Sequence, residues 1–429
     1  MFSASTAIAI EKECATDAIS EIFAHVKAPF LPYVETTVGA LLPGLQHHWH
    51  DGIRKSSVAA LLSFISTFHE MSDQPKWKKG AGGAPLSPNV AQLAGAILPA
   101  IVEMWEDEEE RDVVNELCNS FSAVLMSVGP ALLTKDYLEP VCKHLNDLLN
   151  RTAKCQLDDE DDGELTAGLA EQSEYDQALI SSACDLVGTL ATTLGGDFAP
   201  LFNTFLPAMA SGYAPDRNTG DRSTAIGSLA EITNGLETAV TPFSDTLYPL
   251  FMAALADPEH EVQSNGAFAI GSLVYNSQAD LSGQYLAILS ALHPLFEAST
   301  KDNARDNACG AVARMVLKNA PALPLEQVVP LLVQALPLRR DFAESEKVFD
   351  AILALFQAQN PAVLGAVDHL LAVFAHALGS LTLTGEVKYY PDADAQITSE
   401  TKDKLVQLIK HINASEPARV QAAGLVQYL

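Results

Sequence analysis

Three segments of this chain can be laid under one another without a gap: Ala225-Ile226-Gly227-Ser228-Leu229, Ala269-Ile270-Gly271-Ser272-Leu273 and Ala311-Val312-Ala313-Arg314-Met315. A fainter copy stands upstream at Leu186-Val187-Gly188-Thr189-Leu190. The second positions, Val187, Ile226, Ile270 and Val312, are separated by 39, 44 and 42 residues. A period of about forty residues, helical and without strand patterning, is the signature of HEAT or armadillo repeats. Each copy carries an apolar pair at i, i+3 (Ile226 and Leu229, Ile270 and Leu273, Val312 and Met315), which places both side chains on one helix face. The expected fold is therefore all-α: a HEAT-repeat solenoid of antiparallel helix hairpins wound into a right-handed superhelix.

This architecture removes a difficulty of size. At 429 residues the chain exceeds one ordinary compact core, but a solenoid needs each repeat only to bury a face against its neighbours. With 48% hydrophobic residues there is ample material for a continuous core. The formal charge of −28 argues against a nucleic-acid partner, whose phosphates would be repelled, and in favour of Lys- and Arg-rich partners. Solubility of a long array is the plainer use of the same charge. Six scattered cysteines form no CxxC pair, which points to a reducing compartment without a disulfide scaffold or zinc site. No signal peptide stands at the start, and no uninterrupted apolar run is expected to span a membrane.

Along the chain, Ile8–Val26 reads as an amphipathic helix with little chain before it to pair with, so either further repeats precede it or it caps the array. Helix pairs then follow to the end, about ten hairpins in a single solenoid over residues 1–429. Three inserts interrupt them. The first, near 72–89, combines prolines and glycines with Lys76, Lys78 and Lys79 and reads as a flexible linker. The second, near 157–174, opens with Asp158-Asp159-Glu160-Asp161-Asp162, a self-repelling block expected to be solvated. The third lies near 385–395. The acid run Glu106–Glu110 falls between two helices, where part of it suits the dipole of the helix that follows.

Catalytic motifs are missing. Neither phosphate-binding glycine loops nor the strands that support them occur, and there is no GxSxG elbow or HExxH helix. His47-His48-Trp49-His50 lacks the carboxylate or Cys pair of a metal site, and the acid runs lack the spacing of a calcium loop. The reading is of a protein that is not an enzyme and holds no metal or cofactor. The polar column of the repeats is more informative. Four residues before Ala225, Ala269 and Ala311 stand Asp221, Asn265 and Asn307. These are expected in the first turn of each second helix, facing a groove, where an amide side chain can both donate to and accept from a peptide backbone. The competing role is helix capping. Asp302, Asp306, Asp341, Glu344 and Glu346 lie close by in sequence and are candidates to receive lysine or arginine side chains. Glu344 and Glu346 resist explanation as caps because Asp341 is already placed for that.

Four stretches then carry a resemblance: Glu11–Glu35, Asp257–Ser277, Lys301–Val316 and Leu336–Ile352 (LPLRRDFAESEKVFDAI). Together with the acidic block, they make the chain resemble the C-terminal half of an importin-β-type (karyopherin-β) nuclear transport receptor. Within that family it is most similar to the importin-four group that carries histones and ribosomal proteins. The resemblance implies a monomer shuttling between cytoplasm and nucleus and gripping basic nuclear-localisation segments such as histone H3 and H4 tails. It also implies contacts with FG nucleoporins, and with Ran GTPase mainly through N-terminal repeats outside this stretch. No nucleic acid or membrane partner is implied. In the subgroup, lysines enter acidic pockets on inner helices of late repeats, and Asp341–Glu346 matches that place, although Ala343 and Ser345 interrupt the run. A structural HEAT scaffold or a histone chaperone would use the same architecture.

Overall fold

The computed structural model describes residues 2–47, 49–72, 74–80, 85–157, 168–297, 300–379 and 397–429. Among these there is no strand. The acidic block 158–162 and the insert 385–395 lie outside the described residues. Two compact units divide the chain, Met1–Ala239 and Val240–Leu429.

In the first unit the helices are α1 (Phe2–Val26), α2 (Val34–Leu41), α3 (Asp51–Glu70), α4 (Pro88–Asp107), α5 (Arg111–Val128), α6 (Lys135–Leu149), α7 (Gly168–Leu194), α8 (Ala199–Ser211) and α9 (Thr219–Leu236). They form two rows. One row stacks α1, α3, α5, α7 and α9 side by side, and the other stacks α4, α6 and α8, which pack on α3, α7 and α9 respectively. The second unit holds α10 (Ser244–Leu255), α11 (His260–Asn276), α12 (Tyr285–Leu292), α13 (Asp302–Asn319), α14 (Leu325–Ala335), α15 (Ser345–Gln357), α16 (Pro361–Gly365), α17 (Val367–Ala377), α18 (Ser399–Ser415) and α19 (Pro417–Ala422). There α11, α13, α15 and α18 form one row, while α10 packs on α12 and α14 on α16. This is the HEAT-repeat, all-α architecture that the period implies.

The two rows differ in composition for a physical reason. Internal prolines fall in the first helices of the hairpins, at Pro99, Pro140, Pro207, Pro249 and Pro330. A proline removes one intrahelical hydrogen bond and bends the helix, which these helices tolerate. The second helices pack on both flanks and contain none. In them Ile226, Leu229, Ile270, Leu273, Val312 and Met315 are all buried, as the i, i+3 pattern requires. Gly271 sits at a close approach of α11 to α13: a Cβ there would lie 2.7 Å from Ala311 Cα.

One apolar stretch needs explaining, and one expectation needs correcting. Residues Asp176–Ser211 do contain an 18-residue window apolar enough to cross a membrane by composition, with mean hydropathy 1.3. However, 67% of that window is buried inside the protein, and a 3-10 turn at Gly195–Phe198 splits the stretch into α7 and α8. It is apolar because it is core. The basic part of the 72–89 insert is also not a free linker, since Trp77 and Lys79 are seated on the ends of α5, α7 and α9.

The acid run Glu106–Glu110 is largely internal bookkeeping of charge. Glu106 and Asp107 end α4, where the helix dipole disfavours anions, and Lys143 and Lys154 compensate them. Those lysines hold both carboxyls below the usual range. Glu108 is buried and receives Arg54 through two bonds of 2.7 Å.

Candidate functional site

The sequence column divides between the two units. In the first, Asp221 is the third residue of α9, in its first turn, but the cap is Asn218, whose Oδ1 accepts the Asp221 N–H at 2.8 Å. Asp221 lines a small cleft with Arg151, Arg217, Cys184 and Met209. In the second unit, Asn265 and Asn307 are each the sixth residue of their helices, a turn deeper than expected. Neither is a cap, because the positions before the helices belong to Glu259 and Lys301.

Asn265 and Asn307 open onto one groove of about 980 Å³ beside α11 and α13. Asp302 and Asp341 line it as well, as do His260, Glu261, Lys301, Arg339 and Arg340. Asn307 is nearly buried, and its Nδ2 donates to Ser264 Oγ at 3.0 Å and to Asp341 Oδ2 at 3.1 Å. Both amide hydrogens thus serve the protein, and the acceptor oxygen is the group left to meet a peptide N–H. Asp341, expected as a cap, is instead held by this bond. Asp302 is 38% exposed and pairs with Arg339 at 3.0 Å. The groove is therefore of mixed charge rather than simply acidic: Asp302 already faces a cation, and Asp341 accepts from the Asn307 amide.

Two expected ligand-binding acids are not available to a ligand. Asp306 is fully buried on α13. Its Oδ2 accepts the backbone N–H groups of Arg339, Arg340 and Asp341 at 2.8, 2.7 and 3.1 Å, and Oδ1 accepts from Arg305 at 3.1 Å. It is the anchor of the turn before α15. Glu344 is 2% exposed and forms a two-pronged pair with Arg314, whose guanidinium also lies 5.0 Å from the Phe268 ring centre. Burial pushes the Glu344 carboxyl up, and Arg314 acts against that shift. Gly310 makes room for this carboxylate, since a Cβ there would collide with it. Glu346 pairs with its neighbour Lys347 at 3.0 Å and is not among the residues lining the groove.

Of the residues missed from sequence, Arg339 and Arg340 matter most. They stand in the Leu336–Ile352 stretch directly before Asp341, and the paired arginines were the available signal. Among the described residues no group of His, Cys, Asp or Glu could hold a metal ion. Cys118, Cys184 and Cys309 are buried and their thiols are pushed up by burial, as expected of core residues rather than nucleophiles.

Comparisons with known proteins bear on what such a groove serves. Residues 106–214 match the family described as importin repeat 6, and residues 168–267 the importin subunit beta-1-like TPR repeats. The chain is 35% identical over 415 residues to the probable importin subunit beta-4 of Schizosaccharomyces pombe, covering 95% of this chain and 38% of that protein. To importin-4 of Homo sapiens it is 29% identical over 427 residues, covering 98% of this chain and 37% of that protein. Among solved structures, Kap121p bound to RanGTP superposes with a TM-score of 0.69 at 15% identity, over 99% of this chain and 37% of that one. Kap121p bound to Pho4p gives 0.67 at 14%, over 94% and 37%. The chain belongs to the importin-β (karyopherin-β) family of HEAT-repeat proteins. Within that family it is importin-4-like, and it spans 37–38% of the length of these curated relatives.

Proposed function

We propose that this chain is a cargo-gripping portion of a nuclear import receptor, not an enzyme, and that the groove beside α11 and α13 holds an extended basic segment of the cargo. The observation that carries this reading is the convergence of Asn265, Asn307, Asp302 and Asp341 on one open groove. The asparagines suit a peptide backbone, while Asp302 and Asp341 suit lysine or arginine side chains. Arg339 already occupies Asp302, so an incoming cation must displace it. Binding is then expected to weaken steeply with salt.

Within this reading the cargo is Lys-rich, as histone H3 and H4 tails and ribosomal proteins are. The receptor works as a monomer shuttling between cytoplasm and nucleus, meets FG nucleoporins in transit, and contacts Ran mainly through repeats carried elsewhere in the longer relatives. The similarity to Kap121p supports the transport reading, because its structures were solved with RanGTP, Pho4p and Nup53p bound.

Fluorescence anisotropy with a labelled histone H3 tail peptide tests it, comparing unmodified and lysine-acetylated forms. The unmodified peptide should bind and the acetylated one at least about tenfold more weakly, a difference of about 1.4 kcal/mol. Asp302→Lys combined with Asn265→Ala should weaken the unmodified peptide by a similar factor. Equal affinity for both peptides would overturn the lysine-reading role. Intact binding by the double variant would remove the site from this groove.

A further inference from the structure

A short basic segment lies across the C-terminal ends of α5, α7 and α9 in the first unit. The Trp77 indole N–H donates to the Met126 carbonyl in the last turn of α5 at 2.8 Å. The Gly80 N–H donates to the Thr193 carbonyl at the end of α7 at 2.9 Å. Lys79 Nζ donates to the Gly235 carbonyl at 3.3 Å and to the Glu237 carboxylate at 2.6 Å, at the end of α9. Helix C-termini present unsatisfied carbonyls and the negative end of the dipole. Three of them in a row make a line of acceptors suited to N–H donors and an ammonium group.

The backbone at these ends is shaped for an occupant. Gly129 after α5, Gly195 after α7 and Glu237 after α9 all have positive φ, at 88°, 58° and 53°. A Cβ on Gly129 would stand 2.4 Å from Trp77 Cβ, and one on Gly195 would stand 2.7 Å from Lys79 Cγ. Each glycine thus opens a seat, the first filled by an aromatic ring and the second by a lysine stem. Trp77 and Lys79 are two residues apart, as needed for side chains on one side of an extended segment. The occupant is not locked in: the Lys79 side chain keeps 33% of its exposure and Glu237 keeps 60%.

We propose that this row of helix ends is a binding surface for extended peptides carrying an aromatic residue and, two positions on, a lysine, with Gln74–Gly80 as its resident occupant in cis. The reasoning is independent of the groove in the second unit. The contacts go to backbone carbonyls, to glycine seats and to the Glu237 carboxylate, so a peptide of the same pattern from another molecule makes them equally well. Tethering gives the resident segment an effective concentration on the order of millimolar. It therefore masks the surface until an abundant or tighter ligand replaces it.

The test uses the labelled heptapeptide of residues 74–80 (Gln-Pro-Lys-Trp-Lys-Lys-Gly) against the full chain. Trp77→Ala combined with Lys79→Ala should bind the peptide saturably, and the unaltered chain at least tenfold more weakly. Adding Glu237→Lys should lower binding to the unmasked chain at least tenfold, as should a Lys-to-Glu change in the peptide at the position of Lys79. Absence of saturable binding to an unmasked variant with unaltered circular dichroism and melting would overturn the proposal, as would equal binding to both chains. If the double variant does not fold, hydrogen exchange of the unaltered chain decides. Saturating heptapeptide must speed exchange of the Gly80 amide, and unchanged exchange overturns the proposal.

Discussion

Arg314 and Glu344 face each other across α13 and the start of α15, both almost wholly buried, with two guanidinium nitrogens on two carboxylate oxygens. The pair joins consecutive second helices inside the core, and Phe268 from α11 covers the guanidinium. Arg314 lies within the very repeat segment whose apolar residues define the period.

Removing one partner leaves the other charge stranded, so Arg314→Met should destabilise the chain by about 3–5 kcal/mol near neutral pH. Glu344 already titrates above the usual carboxylate range because of burial, and without Arg314 it moves further up. In the window between the ordinary and raised values the folded state then binds more protons than the unfolded state, so its stability falls as pH rises. Urea unfolding at pH 5 and pH 7.5 should show the penalty relative to the unaltered chain shrinking at the lower pH. The double change Arg314→Met with Glu344→Met should recover much of the loss.

Asp306 holds the turn before α15 by three backbone N–H groups. Hydrogen bonds to a buried carboxylate contribute about 1.5–3 kcal/mol each, and they share one acceptor here. Asp306→Ala should therefore cost about 3 kcal/mol in chemical unfolding. Exchange of the Arg339, Arg340 and Asp341 amides should accelerate more than that of the amides within α13, and unchanged exchange would show that the turn stands without its anchor.

Glycines in helices separate into two kinds. Gly271→Ala places a methyl 2.7 Å from Ala311 Cα and should destabilise by about 1–3 kcal/mol through separation of α11 and α13. Gly95→Ala in α4 meets nothing within 4 Å and should stabilise by about 0.5–1 kcal/mol through helix propensity. Thermal melting of the two variants should shift in opposite directions.

His144 is buried, stacked on Trp105 at 5.0 Å, and burial lowers its pKa. The folded state therefore keeps it neutral at a pH where the unfolded chain, titrating near about 6.5, is protonated. The unfolded state binds more protons in that window, so stability rises with pH through it and is lost on acidification. Unfolding between pH 7.5 and pH 5 should show this, and His144→Phe should flatten the slope. An unchanged slope would exclude His144 as its source.

Helix type, hairpin order and the buried stripe were legible because they are local: i, i+3 apolar pairs, turn residues and a period near forty residues recur whatever lies around them. Asn265 and Asn307 were singled out from the same repeat, and both line the groove beside α11 and α13. Acid roles were not legible. Asp302, Asp306, Asp341 and Glu344 stand in similar local sequence, yet Asp302 and Asp341 line the groove while Asp306 and Glu344 are sealed beneath it. What separates them is their partners, the 339–341 amides and Arg314, some thirty residues away in sequence. Lys79 finds Glu237 across 158 positions. The sequence determined by itself which segments are helices and which faces they bury, because hydrophobic periodicity acts along the chain. Tertiary structure alone decided which charges meet solvent and which meet one another. A carboxylate's fate depends on desolvation and on neighbours that only packing brings within about 3 Å.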